Sequence, residues 1–134
     1  MGNRTFERGR CRDYCRATRT RDRRVAVGFE LSRLVAVAYR VSPAQLSLET
    51  RGQARTALAR QVAMYLIHVT CGLNLTEVGR MFGRDRTTVA YACQAVEMRR
   101  DEPKFDHALA VLEAVASLLI SRLPGPQSSH REAA

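Results

Sequence analysis

The sequence predicts an all-α domain assembled from short, packed helices. Three observations carry this. Apolar residues recur at three- and four-residue steps in several stretches. Pro43, Gly72, Gly83 and Pro103 punctuate those stretches where helices should stop or start. No stretch alternates apolar and polar residues as a half-buried strand would. At 134 residues and 46% hydrophobic, the chain can bury one sizeable core.

Residues 1–24 carry nine Arg and no apolar period, and read as a flexible basic arm. From Val25 the character changes: Leu31, Leu34, Val35 and Ala38 fall on one helical stripe. Ser42 and Pro43 end that helix and open a short one, as N-cap and first helical residue. Residues 47–55 are polar, contain Gly52 and read as a loop. A strong helix follows over about 56–71, with Leu58, Val62, Tyr65, Leu66 and Val69 as its buried stripe. Gly72 is its expected glycine cap.

Asn74 and Glu77 spell a capping box for a short helix, apolar at Leu75, Val78 and Phe82 and stopped by Gly83. Asp85 is the expected cap of a helix reaching about residue 100, with Val89, Ala92, Cys93 and Val96 inside. Asp101-Glu102-Pro103 breaks the chain again. The last helix, about 104–123, is apolar at Leu109, Leu112, Val115, Ala116 and Leu119. Its wide apolar face reads as core packing, with a dimer interface as the alternative, so monomer and dimer both stay open. The expected helical domain is therefore 25–123, and residues 124–134 are a polar tail.

Charge narrows the function. The chain has 22 Lys+Arg against 13 Asp+Glu, a net charge of +9. Such an excess usually meets a polyanion, most often nucleic acid. Nine Arg lie in residues 1–24 and nine in 40–100, whereas 101–134 is mildly acidic. Lys104 is the single lysine and follows no Gly-rich loop, which excludes a Walker-type nucleotide site. No acid, base and nucleophile set stands out, so neither an enzyme nor a cofactor is expected.

Cys11, Cys15, Cys71 and Cys93 lack the dense pattern of a secreted disulfide scaffold. Cys11 and Cys15 could be half a zinc site, but His68, His107 and His130 are scattered, and no metal is expected. Cys71 and Cys93 fall on apolar helix faces and read as core residues. No apolar run approaches the roughly 18 residues of a membrane span, and no secretory signal pattern is present. A reducing cytoplasmic location, associated with the nucleoid, is expected.

The helices at 74–82 and 85–100, joined at Gly83, have the layout of a helix-turn-helix, whose second helix enters the DNA major groove. The outward face of that second helix holds Arg86, Thr87, Ala90, Tyr91 and Gln94. Its N-terminal turn carries Arg84, Asp85, Arg86, Thr87 and Thr88. Arg can pair with guanine, Asp can accept from cytosine N4, and the Thr methyl can meet a thymine methyl. Thr88 and the helix-start N–H groups can hold a phosphate.

Four segments resemble one known family: Val35–Pro43 (VAVAYRVSP), Ala59–Leu66 (ARQVAMYL), Leu75–Gly83 (LTEVGRMFG) and Arg84–Cys93 (RDRTTVAYAC). From about Val35 to Ser117 the chain resembles the C-terminal, double-stranded-DNA-binding domain of the bacterial replication initiator DnaA. The resemblance implies a Trp-repressor-like helix-turn-helix that binds DnaA boxes, here standing alone without the ATPase domain. It implies base contacts at Asp85 and Thr87, phosphate contacts at Arg60, Gln61 and Thr88, and an apolar groove-wall contact at Leu75. Arg84 joins the phosphate set.

The sequence departs from the family pattern in places that affect which site it reads. Arg86 stands where the family has His, and Tyr91 where it often has a second His. Thr76 replaces a groove-wall Pro, and His68 replaces a Lys expected on phosphate. The basic loop, which puts an Arg in the minor groove, is diluted and one residue longer, leaving Arg51 and Arg55 as candidates. The expected function is sequence-specific binding of double-stranded DNA as a transcription regulator. The alternatives are a replication-initiation modulator competing for DnaA boxes, or a protein-interaction module with a degenerate helix-turn-helix. The basic arm is expected to add nonspecific DNA affinity.

Overall fold

A computed structural model describes the backbone of residues 4–47 and 54–122, and the side chains of residues 20–46 and 54–122. Arg51, His130, the tail 124–134 and the side chains of Cys11 and Cys15 lie outside the described residues. Among the described residues there are six helices and no strand: α1 (Arg4–Ala38), α2 (Pro43–Ser47), α3 (Ala54–Cys71), α4 (Leu75–Phe82), α5 (Arg86–Arg99) and α6 (Pro103–Ser121). None of these helices is long and apolar enough to cross a membrane.

The largest departure from expectation is α1. It is one continuous helix of 35 residues, so residues 4–24 are helical from Arg4 onward and not an irregular arm. Arg is among the stronger helix formers, and this stretch contains no Pro. A polar helix has no apolar stripe, so a search for amphipathic periodicity passes over it. The helix ends at Ala38, and Arg40 in the turn that follows takes φ +56. The Val41 N–H then bonds the Ala36 carbonyl at 2.8 Å.

The core is built on α3. Val62, Ala63, Met64, Tyr65, Leu66 and Ile67 are all buried, a run with no polar side between them. Helices α1, α5 and α6 pack around it, bringing Leu31, Val35, Val89, Val96 and Leu109 into the same cluster. A helix gripped from several sides does not follow a single-stripe pattern. Hence Ile67 and Cys71 are buried as well; Val69, expected on the buried stripe, is instead half exposed near the C-terminal end of α3. On α6, Leu109 and Ala116 are buried, but Val111 and Leu118 are exposed.

Polar contacts lock the helices in place. The Tyr65 hydroxyl on α3 donates to Glu97 on α5 at 2.6 Å. Arg100, just past α5, donates to Tyr65 Oη at 2.9 Å and Asp106 at 2.7 Å, and grips Glu113 on α6 at 2.9 and 3.4 Å. Across the molecule, Arg21 on α1 pairs with Glu77 on α4 at 2.8 Å. Gly28 on α1 sits against Met81 and Ile67; a Cβ there would come within 2.8 Å of the Met81 methyl.

Candidate nucleic-acid interface

The pair α4–α5 is set by its ends. Asn74 Oδ1 accepts from the Glu77 N–H and Glu77 Oε2 accepts from the Asn74 N–H, both at 2.9 Å, completing the capping box. At the other end Gly83 takes φ +64, and the Arg84 N–H bonds the Gly79 carbonyl at 2.8 Å. Gly79 is buried, and a Cβ on it would run into the Arg84 carbonyl oxygen. The turn therefore needs two glycines. Gly83 supplies the left-handed backbone, and Gly79 lets the start of α5 come close to α4. The sequence reading missed Gly79, although a glycine inside an eight-residue helix, one turn before Gly83, was a usable signal.

Asp85 occupies the N-cap position of α5 in extended conformation, but its carboxylate makes no cap hydrogen bond. The expectation that Asp85 caps α5 is corrected to that extent. The consequence is chemical: both the carboxylate and the first-turn N–H groups of α5 keep their bonding capacity. Arg86, Thr87 and Thr88 follow and are all exposed, as are Ala90, Tyr91 and Gln94. Tyr91 is 71% exposed, far more than an aromatic ring serving the core would be.

Beside this face lies a cleft between α3 and α5. Arg60, Gln61, Arg84, Thr88 and Tyr91 line it, together with Ala57, Met64 and Ala92. Five candidates from two stretches of the sequence, 60–61 and 84–91, thus meet in one concavity. The Arg60 guanidinium donates to the carbonyls of Leu46 at 2.6 Å and Gln45 at 3.2 Å. These bonds fix its position against the end of α2. Burial, and then the positive charge of Arg84, hold the Arg60 pKa below its ordinary range. An anion in this cleft would meet the charges of both guanidiniums.

The remaining candidates are further apart. His68 is on the face of α3 that carries Gln61 and Met64, about two turns on. Its Nδ1 lies 2.8 Å from the Leu73 carbonyl, which obliges Nδ1 to carry the proton and leaves Nε2 as the outward atom. Leu75, half buried, and Thr76, exposed, begin α4 next to that carbonyl. Arg55 is exposed in the first turn of α3, well off the face of Arg60 and Gln61. Among the described residues, no group of three His, Cys, Asp or Glu is placed to hold a metal.

Comparison with known proteins bears on the family and the fold. The family model described as "Bacterial dnaA protein helix-turn-helix" matches residues 30–96, half of the chain. The "Chromosomal replication initiator protein DnaA" of Mycobacteroides abscessus is 47% identical over 64 residues, 44% of this chain and 13% of the relative. That of Aquifex aeolicus is 36% identical over 89 residues, 65% of this chain and 22% of the relative. The chain thus spans less than a quarter of either relative's length. A crystal structure of a "DNA replication initiation factor" superposes with a TM-score of 0.70 at 32% identity. It covers 78% of this chain and 32% of its own.

Proposed function

The chain belongs to the bacterial DnaA-protein helix-turn-helix family, and from that premise we propose that it binds double-stranded DNA in a sequence-specific manner. Helix α5 lies in the major groove, with Asp85, Arg86 and Thr87 on base edges. Arg60, Gln61, Arg84 and Thr88 take a backbone phosphate in the cleft between α3 and α5. His68 Nε2, Leu75 and Thr76 follow the groove wall. Arg51 and Arg55 are the candidates for a minor-groove contact.

The observation that carries this reading is the adjacency of two chemistries. The exposed first turn of α5, with an uncapped carboxylate and an Arg, sits directly beside a cleft lined by Arg60 and Arg84. Base readers next to a phosphate seat are what a groove-reading helix requires.

Such binding can serve the regulation of transcription or the modulation of replication initiation. The second is favoured by the relatives, which are both chromosomal replication initiators. On this reading the protein occupies DnaA-box-like sites, with Arg86 and Thr76 shifting the preferred sequence.

Selection from random duplex DNA at fixed, near-physiological salt tests the proposal. A discrete motif related to the DnaA box is the expected result, and its affinity is then compared with that of a DnaA box by titration. Enrichment of no motif, with affinity collapsing as salt rises, would leave only backbone binding and refute sequence reading.

A further inference from the structure

The helicity of α1 gives its arginines an order that a flexible arm would not have. Arg4, Arg8, Arg12, Arg16, Arg19 and Arg23 are spaced by four, four, four, three and four residues. On a continuous helix those steps place six residues at successive turns along one side. Further along the same side of the helix, Arg23, Ala26, Phe29, Arg33 and Val37 are exposed. The other side meets the body, through Arg21 on Glu77 and Gly28 against Met81 and Ile67.

Two features set this stripe against its own helix. Like charges at i, i+4 repel, and cations crowd the N-terminal end, where the helix dipole already favours anions. Such a surface is relieved by an external polyanion. The stretch before Arg21 is about 25 Å long, comparable with most of a turn of duplex DNA.

We infer that this Arg stripe on α1 is a second DNA-contacting surface, gripping backbone phosphates of the duplex that flanks the site read by α5. The inference rests on the DNA-binding reading above. DNA is favoured over an anionic membrane because residues 4–20 contain only Phe6 and Tyr14 as large apolar residues. An interfacial helix needs a broad apolar face to insert. The Arg21–Glu77 pair also fixes α1 against α4, beside the groove-wall residues Leu75 and Thr76.

The test compares a short duplex holding only the selected site with the same duplex lengthened by about 15 base pairs on each flank. The unsubstituted protein should bind the longer duplex roughly tenfold more tightly or better at low salt. The variant Arg8→Gln, Arg12→Gln, Arg16→Gln, Arg19→Gln should lose that gain and keep its affinity for the short duplex. Its salt slope on the long duplex should fall by about 0.9 for each phosphate contact removed.

A second variant keeps net charge but moves two arginines to the other side: Arg12→Asp, Asp13→Arg, Arg16→Ala, Ala17→Arg. It too should lose most of the gain. No gain with length, or a gain that survives either variant, overturns the stripe. The same holds if the stripe binds phosphatidylglycerol vesicles while adding nothing on DNA. Should no short duplex be bound selectively, the site-reading proposal fails. The stripe is then judged by the same length and substitution comparison on random duplex.

Discussion

At the scale of single residues, Arg86 has the sharpest consequence. It stands exposed in the first turn of α5, and a guanidinium can donate to guanine O6 and N7 together, which an imidazole cannot. Arg86→His should relax or move the preference at one base position, by roughly 1–3 kcal/mol for the favoured base. Competition among the four bases at each position of the selected site reads this out; an unchanged profile would remove Arg86 from base reading. Cys71 gives a prediction about stability. Burial raises its thiol pKa from 9.0 to about 11, with the charge of Arg24 opposing that shift. The folded chain therefore keeps a proton that the unfolded chain releases. The associated stability is complete below about pH 9 and is lost as pH rises through about 11. Denaturation midpoints measured from pH 7 to 11 should fall across that window, and Cys71→Ala should flatten the fall. Tyr65 and Tyr39, both raised mainly by burial, add a further decline above pH 10.

At the scale of elements, the turn between α4 and α5 decides whether the site exists. A methyl on Gly79 would strike the Arg84 carbonyl, which is backbone and cannot swing aside. Gly79→Ala should cost roughly 1–3 kcal/mol and weaken DNA binding beyond what lost folding explains, because α5 would be displaced. Denaturant titration together with duplex titration separates the two effects. This element was largely legible in the sequence: Asn74, Glu77 and Gly83 announce both ends of α4, and their side-chain and backbone bonds are local. Gly79 was harder to see because its constraint comes from a residue on the next helix. The same limit hid the Arg60 bonds to Gln45 and Leu46 and the Arg100 grip on Tyr65, Asp106 and Glu113, which join residues far apart in sequence. Asp85 was placed correctly as N-cap, but whether its carboxylate closes on the helix or stays open is a matter of rotamer.

At the scale of the whole molecule, the all-helical class was readable from period and punctuation, and most helix bounds fell within a residue or two of their observed ends. The exceptions share a cause. Periodicity reports burial, so it failed for α1 before Val25, where helix formation follows from propensity alone. It misled on α3, where enclosure by several neighbours buries Ile67 off the stripe, and at Val69, which is exposed near the helix end. The central position of α3 has one more consequence, for how the chain opens and closes. A helix touched by α1, α2, α4, α5 and α6 cannot release its backbone unless those contacts separate together. Amide hydrogens from Val62 to Ile67 should therefore exchange with deuterium only through global unfolding, at the slowest rates in the chain. Those of the five-residue α2, held by few partners, should exchange through local fraying. Equal rates in both would show a molecule that comes apart piecemeal. The expected pattern instead makes the helix that carries Arg60 and Gln61 the last part of the fold to melt.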